Sequence, residues 1–279
     1  MNGWEIILLA VVQGLTEFLP VSSSGHLALL QWLFGPSGKS DLSLTIFLHV
    51  GTLLALFLYF RNDLLRLARS IFFRPVPVEK MGNSLFPPQG RERHYLGLIL
   101  LGSVPTAAIG LALRTYSDAA SGQPAMVGFF LLVTAALLAA PRILRPHSEG
   151  SPMISPWQAL VIGAVQGMAV LPGISRSGST IVAGILLGIE GKNAARFSFH
   201  LSIPAVLGAF ILEGIGSNAW QAWAAPLPLL GLLISAVTGF AAIGLLMRVV
   251  ARRRLAMFSY YCGAVGLAVL VVSAFSIPW

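Results

Sequence analysis

Apolar residues in this chain run in blocks too long for a soluble core. Six of them, about 42–60, 95–113, 125–140, 196–215, 226–247 and 256–276, come near the roughly 20 residues that a helix needs to cross a bilayer. The 125–140 run is short, which predicts a helix that begins near Pro124 or continues past Pro141. Two further apolar regions, about 4–34 and 157–189, exceed one crossing, and each is interrupted near its middle by a polar motif with Pro and Gly. Half-helices of about 14 residues do not each cross. Each region therefore predicts a re-entrant helix–loop–helix pair, which is tolerated at membrane depth only where protein or water satisfies the broken backbone. The predicted fold is an all-α integral membrane protein with six full spans and two re-entrant pairs.

The two interruptions resemble each other. The first reads Gln13-Gly-Leu-Thr-Glu17-Phe-Leu-Pro20-Val-Ser22-Ser23-Ser24-Gly25-His26, and the second Gln166-Gly-Met-Ala-Val-Leu-Pro172-Gly-Ile-Ser175-Arg176-Ser177-Gly178. Gln-Gly opens both and Ser-Gly closes both, 153 residues apart. The expectation is a first repeat over 1–140 and a second over 157–279, fused in one membrane domain. Each re-entrant is followed by three spans, an odd number, so the halves take inverted topology. Such repeats place a site near the midplane, where the two breaks meet.

Composition agrees with a membrane protein and adds orientation. The chain is 56% hydrophobic and 10% charged over 279 residues, against about 25% charged in soluble domains. Its net charge of +8 would suggest nucleic acid only in a soluble fold; no nucleic-acid partner is expected here. The basic residues gather in short loops, as cytoplasmic loops do. With the second motif re-entrant, fifteen of the eighteen Lys and Arg fall on one side, in the 61–93 loop, at Arg142 and Arg145, at Lys192 and Arg196, and over 248–254. Only Lys39 and Arg114 fall on the other side, and Arg176 lies in the motif. Both termini are then expected outside. The first motif has no nearby Lys or Arg, so its re-entrant form rests on the repeat. The 74–93 stretch, rich in Pro, predicts a linker. Cys262 is alone, which excludes an internal disulfide and a Cys-based metal site. The N-terminus lacks a basic n-region and a small-residue cleavage site, so it does not read as a cleaved signal peptide.

The motifs carry ionisable groups that a bilayer penalises by about 2.5–3.5 kcal/mol each, which marks Glu17, His26 and Arg176 as functional candidates. Ser22, Ser23, Ser24 and Gly25 open one half-helix after Pro20; Ser175, Ser177, Gly178, Ser179 and Thr180 surround the start of another. Helix starts offer unpaired N–H groups and a positive dipole to an oxyanion. Arg176 adds a planar fork of donors matched to phosphate. Together they suggest a phosphate or diphosphate ligand. Gln13 and Glu17 share a helix face four residues apart and suit a divalent metal as amide and carboxylate oxygens. Ser23 and His26, three apart, share a face if the second half-helix begins by Ser22, and so form a nucleophile–base pairing. The bland readings are capping for Ser22 and Ser24, an Arg176–Glu17 structural ion pair, an interfacial His26, and core histidines at His49 and His200. Acid-phosphatase-type lipid phosphatases are disfavoured. Ser23 stands where their Pro should be, Val182 where their His should follow Arg176, and Leu67 and Leu138 where their Lys should be.

On the first motif and on Pro172-Gly-Ile-Ser-Arg176-Ser-Gly-Ser-Thr180, the chain closely resembles the undecaprenyl-diphosphate phosphatase (bacitracin-resistance) family. Ala194-Ala-Arg-Phe-Ser-Phe-His-Leu-Ser-Ile-Pro204 and the span plan extend the likeness over essentially the whole chain. The resemblance implies a bacterial inner-membrane enzyme that removes one phosphate from a C55 polyprenyl diphosphate. It implies a site open to the periplasm and dependence on Mg²⁺ or Ca²⁺. It puts the family's [E/Q]-x-x-x-E motif on Gln13 and Glu17, its candidate nucleophile on Ser23, its His on His26 and its essential Arg on Arg176. The substrate partner is then a polyprenyl diphosphate among membrane lipids, and a homodimer is compatible with it. Gln13 is the amide variant, which puts a two-carboxylate metal site in question, and His49 sits where many members carry Gln. A transporter or flippase for a phosphate-headed lipid is the competing class, because broken helices in inverted repeats also build transporters.

Overall fold

The structure, a computed structural model, describes residues 2–34, 42–72, 90–144, 150–217, 223 and 225–275. Most of the 74–93 linker, Lys39, Arg145 and His147 lie outside them. The described residues fold as α1 (Gly3–Phe18), α2 (Ser23–Leu33), α3 (Leu42–Tyr59), α4 (Arg61–Phe72), α5 (Glu92–Ser121) and α6 (Pro124–Leu144). These are followed by α7 (Pro156–Met168), α8 (Arg176–Leu186), α9 (Gly191–Ser217), α10 (Pro226–Ala251) and α11 (Met257–Phe275). Five of these, α5, α6, α9, α10 and α11, are long and apolar enough to cross a membrane; α3 and α4, bent by 81° to each other, make a sixth if taken together. Large side chains such as Leu100, Val104, Leu233 and Val237 stay exposed on the long helices, as a lipid-facing surface requires. This is an all-α, multi-pass membrane protein.

The expected breaks are present, and their causes are local. Leu19 precedes Pro20 and is extended at φ −65°, ψ 142°, because a residue before proline is pushed out of the helical region. The chain turns through Ser22, at a left-handed φ of 69°, and α2 begins with Ser22 as its N-cap, its Oγ accepting from the Gly25 N–H at 3.3 Å. In the second motif, Gly173 takes φ +105°, a conformation open to glycine. Ser175 then caps α8 through the Gly178 N–H at 3.1 Å.

The packing is reciprocal. The opening helix of the chain, α1, lies along α10, while α7 lies along α5; α6 packs on α11, and α3 on α9. Small residues permit these approaches. A methyl group at Gly163 would overlap the Gly102 carbonyl, and one at Gly14 the Thr238 hydroxyl.

One expectation is corrected. The 61–93 stretch is not all loop: Arg61–Phe72 is the helix α4. Asp63, Leu67 and Ser70 recur at helical spacing and are buried, a short amphipathic pattern hidden among basic residues. Arg66 on Glu92 at 3.1 Å, and Arg93 Nε donating to the Ser70 carbonyl at 2.6 Å, hold α4 against α5. The spans also run longer than their apolar cores. Thus α5 covers 92–121 with Pro105 inside it, and α6 both begins at Pro124 and continues past Pro141.

Candidate active site

The two breaks touch. The Ser22 Oγ accepts from the Gly173 N–H at 3.1 Å, which ties the first motif to the second. A β-carbon at Gly25 would lie 3.0 Å from the Gly173 Cα, and one at Gly178 would lie 3.1 Å from the Pro20 Cβ. Thr134, on α6, completes the joint: its hydroxyl donates to the Gly173 carbonyl at 2.7 Å and accepts from the Ser175 N–H at 3.0 Å. Overpacking of this kind costs about 1–3 kcal/mol. Gly25→Ala is therefore expected to lower the melting temperature and reduce activity. Gly110→Ala, with nothing within 4 Å of the added carbon, should leave both near the parent values; thermal-shift and turnover assays compare them.

Glu17 is the centre of the cluster. Its side chain is 5% exposed, and donors from three other helices meet it. Arg176, at the start of α8, pairs with Oε1. On Oε2, the Ser23 hydroxyl donates at 2.5 Å, and the Gln13 Nε2 donates from one turn back on α1 at 3.0 Å. The His49 Nε2, on α3, lies 3.3 Å from the same oxygen. Helix geometry leaves the first amides of α2, at Ser23 and Ser24, and of α8, at Arg176 and Ser177, without intrahelical acceptors. The two helix starts and one guanidinium thus flank a carboxylate that holds a serine hydroxyl.

The expected residues divide into two groups. Gln13, Glu17, Ser23 and Arg176 are brought together. Ser22, Ser175 and Ser177 are buried and engaged in capping and in joining the breaks: Ser177 donates to the Leu19 carbonyl at 3.3 Å and lies 3.3 Å from Ser175 Oγ. Ser24 lies 3.4 Å from Ser22 Oγ. Thr180, fully buried, donates to the Arg176 carbonyl at 2.8 Å and meets Ser198 at 2.5 Å, so its hydroxyl secures α8 to α9. Gly25 and Gly178 allow the close approach.

His26 departs from the expected pairing. Ser23 donates to Glu17, and the His26 ring is held by the Ser22 carbonyl at Nδ1 (2.8 Å) and the Tyr261 hydroxyl at Nε2 (2.8 Å). The i, i+3 spacing put both side chains on one face but could not foresee that Glu17, across the break, reaches the hydroxyl. His49 departs as well: it sits in the site rather than in the core. Thr134 and Tyr261 had no signal in the motifs and are found only through the packing of α6 and α11. His200 does lie in the core, with Nδ1 2.9 Å from the Tyr95 hydroxyl.

The second break lacks a carboxylate, since Val170 stands where Glu17 stands in the first. Its Gln166 donates to the Leu201 carbonyl at 3.1 Å and serves structure. Among the described residues no group of three His, Cys, Asp or Glu side chains forms a closed metal cage. Glu17 and Gln13 still fit a hard cation whose remaining ligands come from phosphate oxygens, the usual arrangement for Mg²⁺. The Gln13 Oε1 is fully buried with no hydrogen-bond partner.

A family model described as bacitracin resistance protein BacA matches residues 6–268. The chain belongs to that family. Its BacA relatives include the undecaprenyl-diphosphatase of Desulfatibacillum aliphaticivorans, 42% identical over 98% of this chain and 99% of the relative. Those of Korarchaeum cryptofilum, 42% identical, and Desulfosudis oleivorans, 43% identical, each align over 95% of this chain and 97% of the relative.

Proposed function

We propose that this BacA-family protein hydrolyses undecaprenyl diphosphate to undecaprenyl phosphate and inorganic phosphate. The observation that carries the reading is the Ser23–Glu17–Arg176 contact where two helix breaks meet. A binding site for a phosphate-headed lipid needs the arginine and the helix starts; it has no need of a hydroxyl held on a buried carboxylate.

The lipid tail stays in the bilayer and the diphosphate enters between α2 and α8. Arg176 and the free helix amides hold the phosphate oxygens and spread the charge of the transferring group. Ser23 Oγ attacks the terminal phosphorus as its proton passes to Glu17 Oε2. The bond from that phosphorus to the bridging oxygen breaks, and undecaprenyl phosphate leaves. Water then displaces the phosphoryl group from Ser23. The Ser23 Oγ–phosphorus bond breaks, and Glu17 Oε2 returns its proton to Ser23 Oγ. His26 Nε2, which accepts from the Tyr261 hydroxyl at rest, takes the water proton in its place, and inorganic phosphate is released. In the direct variant, Ser23 and Glu17 orient the attacking water instead. Mg²⁺ or Ca²⁺ belongs to this reading: Glu17 and Gln13 would hold it, and when bound it would neutralise diphosphate charge.

The same reading puts the protein in the bacterial inner membrane, with inverted repeats, both termini and the site facing the periplasm, and the basic loops inside. There it would recycle the lipid carrier for peptidoglycan synthesis and confer bacitracin resistance. Support comes from the family, the clustering of basic residues and the reciprocal packing. Purified protein in detergent, given a polyprenyl diphosphate and Mg²⁺ or Ca²⁺, should release inorganic phosphate. Folded protein that binds the lipid and releases none would favour the transporter.

A further inference from the structure

We propose that α4 is an interfacial helix that seats one face in the leaflet bordered by the basic loops, and there holds anionic phospholipid headgroups through Arg61 and Arg69. The chemistry at Glu17 does not enter into it. The starting point is covalent. α3 has 18 residues, about 27 Å of helix, close to the roughly 30 Å of a hydrocarbon core. Only Phe60 separates its end at Tyr59 from the start of α4 at Arg61. The chain bends there by 81°, so α4 leaves the end of an apolar helix nearly at right angles to it. A helix in that position lies along the membrane surface.

Its two faces differ in the way such a position requires. Asp63, Leu67 and Ser70 are buried against the protein. Asp63 lies 3.9 Å from the Arg196 guanidinium, and Arg66 pairs with Glu92 at 3.1 Å. The opposite face carries Leu65, Ala68 and Phe72, three and four residues apart and hence one stripe. Leu65 is 54% exposed and Phe72 79%, and Ala68 and Ile71 are exposed as well. Arg61 and Arg69 flank the stripe and are exposed. Neither forms an ion pair among the described residues. The acidic groups at this joint, Asp63 and Glu92, are buried and already face Arg196 and Arg66. The charge left on the outer face is therefore positive. An apolar stripe edged by arginines suits the boundary between acyl chains and headgroups, where guanidinium forks meet phosphodiester oxygens. The bilayer that α3 crosses is already within reach of Leu65 and Phe72, which favours lipid over a soluble partner.

Position and headgroup are tested separately. For position, the buried Cys262 is replaced by Ser, and Ala68→Cys carries a nitroxide label in nanodiscs of mixed phosphatidylcholine and phosphatidylglycerol. Collisions with dissolved oxygen are expected to exceed those with a water-soluble nickel chelate, as for labels below the headgroups. The reverse order would leave the stripe in water and overturn the proposal. A label shielded from both would mean that protein covers it, a second copy included, and would overturn it equally. For the headgroup, detergent-purified protein is titrated with phosphatidylglycerol or phosphatidylcholine, and bound lipid is counted by native mass spectrometry. The parent should bind phosphatidylglycerol at least about tenfold more tightly, from two arginines near the surface. The double variant Arg61→Gln/Arg69→Gln should lose that margin. Arg142→Gln/Arg252→Gln removes the same charge from exposed positions of other basic segments and should keep it. No preference in the parent, or equal loss from both pairs, overturns the proposal.

Discussion

Ser23→Ala is expected to lower kcat by about 10²-fold or more while lipid diphosphate still binds. The reason lies in where the hydroxyl points. Ser23 Oγ lies 2.5 Å from Glu17 Oε2, so it has a proton acceptor in place before any ligand arrives. Ser24, its neighbour, lies within hydrogen-bond distance of Ser22 instead and offers no substitute. The ground-state grip on the diphosphate comes from Arg176 and the helix amides, which the substitution leaves intact. Equilibrium binding and turnover, measured on one preparation, separate the two effects. Near-normal kcat would reduce Ser23 to a helix-start residue and make water the attacking group.

Arg176→Lys is expected to lose both binding and rate, with kcat/KM falling by about 10²-fold or more. The guanidinium has two tasks. One arm pairs with Glu17 Oε1, and the planar fork carries further donors that can serve a phosphate oxygen at the same time. A lysine is a point charge that can serve one partner but not both. Because Arg176 meets diphosphate charge before and during transfer, Kd and kcat should worsen together, unlike in Ser23→Ala. Unchanged Kd with unchanged kcat would mean that Arg176 only balances Glu17.

Much of the architecture was legible because a bilayer leaves a chain few choices. Long apolar runs had to be helices, and Pro20 and Pro172 had to break them. The repeated Gln-Gly and Ser-Gly marks located both breaks. Glu17 and Arg176, too costly to leave idle in hydrocarbon, marked the site from opposite halves, and they do meet. What sequence alone missed are contacts that depend on tertiary packing. Ser23 and His26 share a helix face, but the break folds Glu17 back onto the serine and α11 brings Tyr261 to the histidine. His49 read as a core residue because α3 is apolar all round; only the approach of α3 to α1 shows what it faces. Thr134, in an apolar span with no motif, joins the two breaks through backbone groups of residues 173 and 175. The helix α4 was hidden for another reason: its basic residues, counted as loop charge, obscured a short buried stripe.

The claim that both breaks act on one phosphoryl group is tested most directly by a double-mutant cycle in kcat/KM between Ser23→Ala, from the first motif, and Arg176→Lys, from the second. If they serve one transferring group, the double variant should fall within about tenfold of the weaker single variant, because residues acting as a unit lose their effect together. Losses that multiply in full would contradict a single site and assign the two motifs to separate tasks.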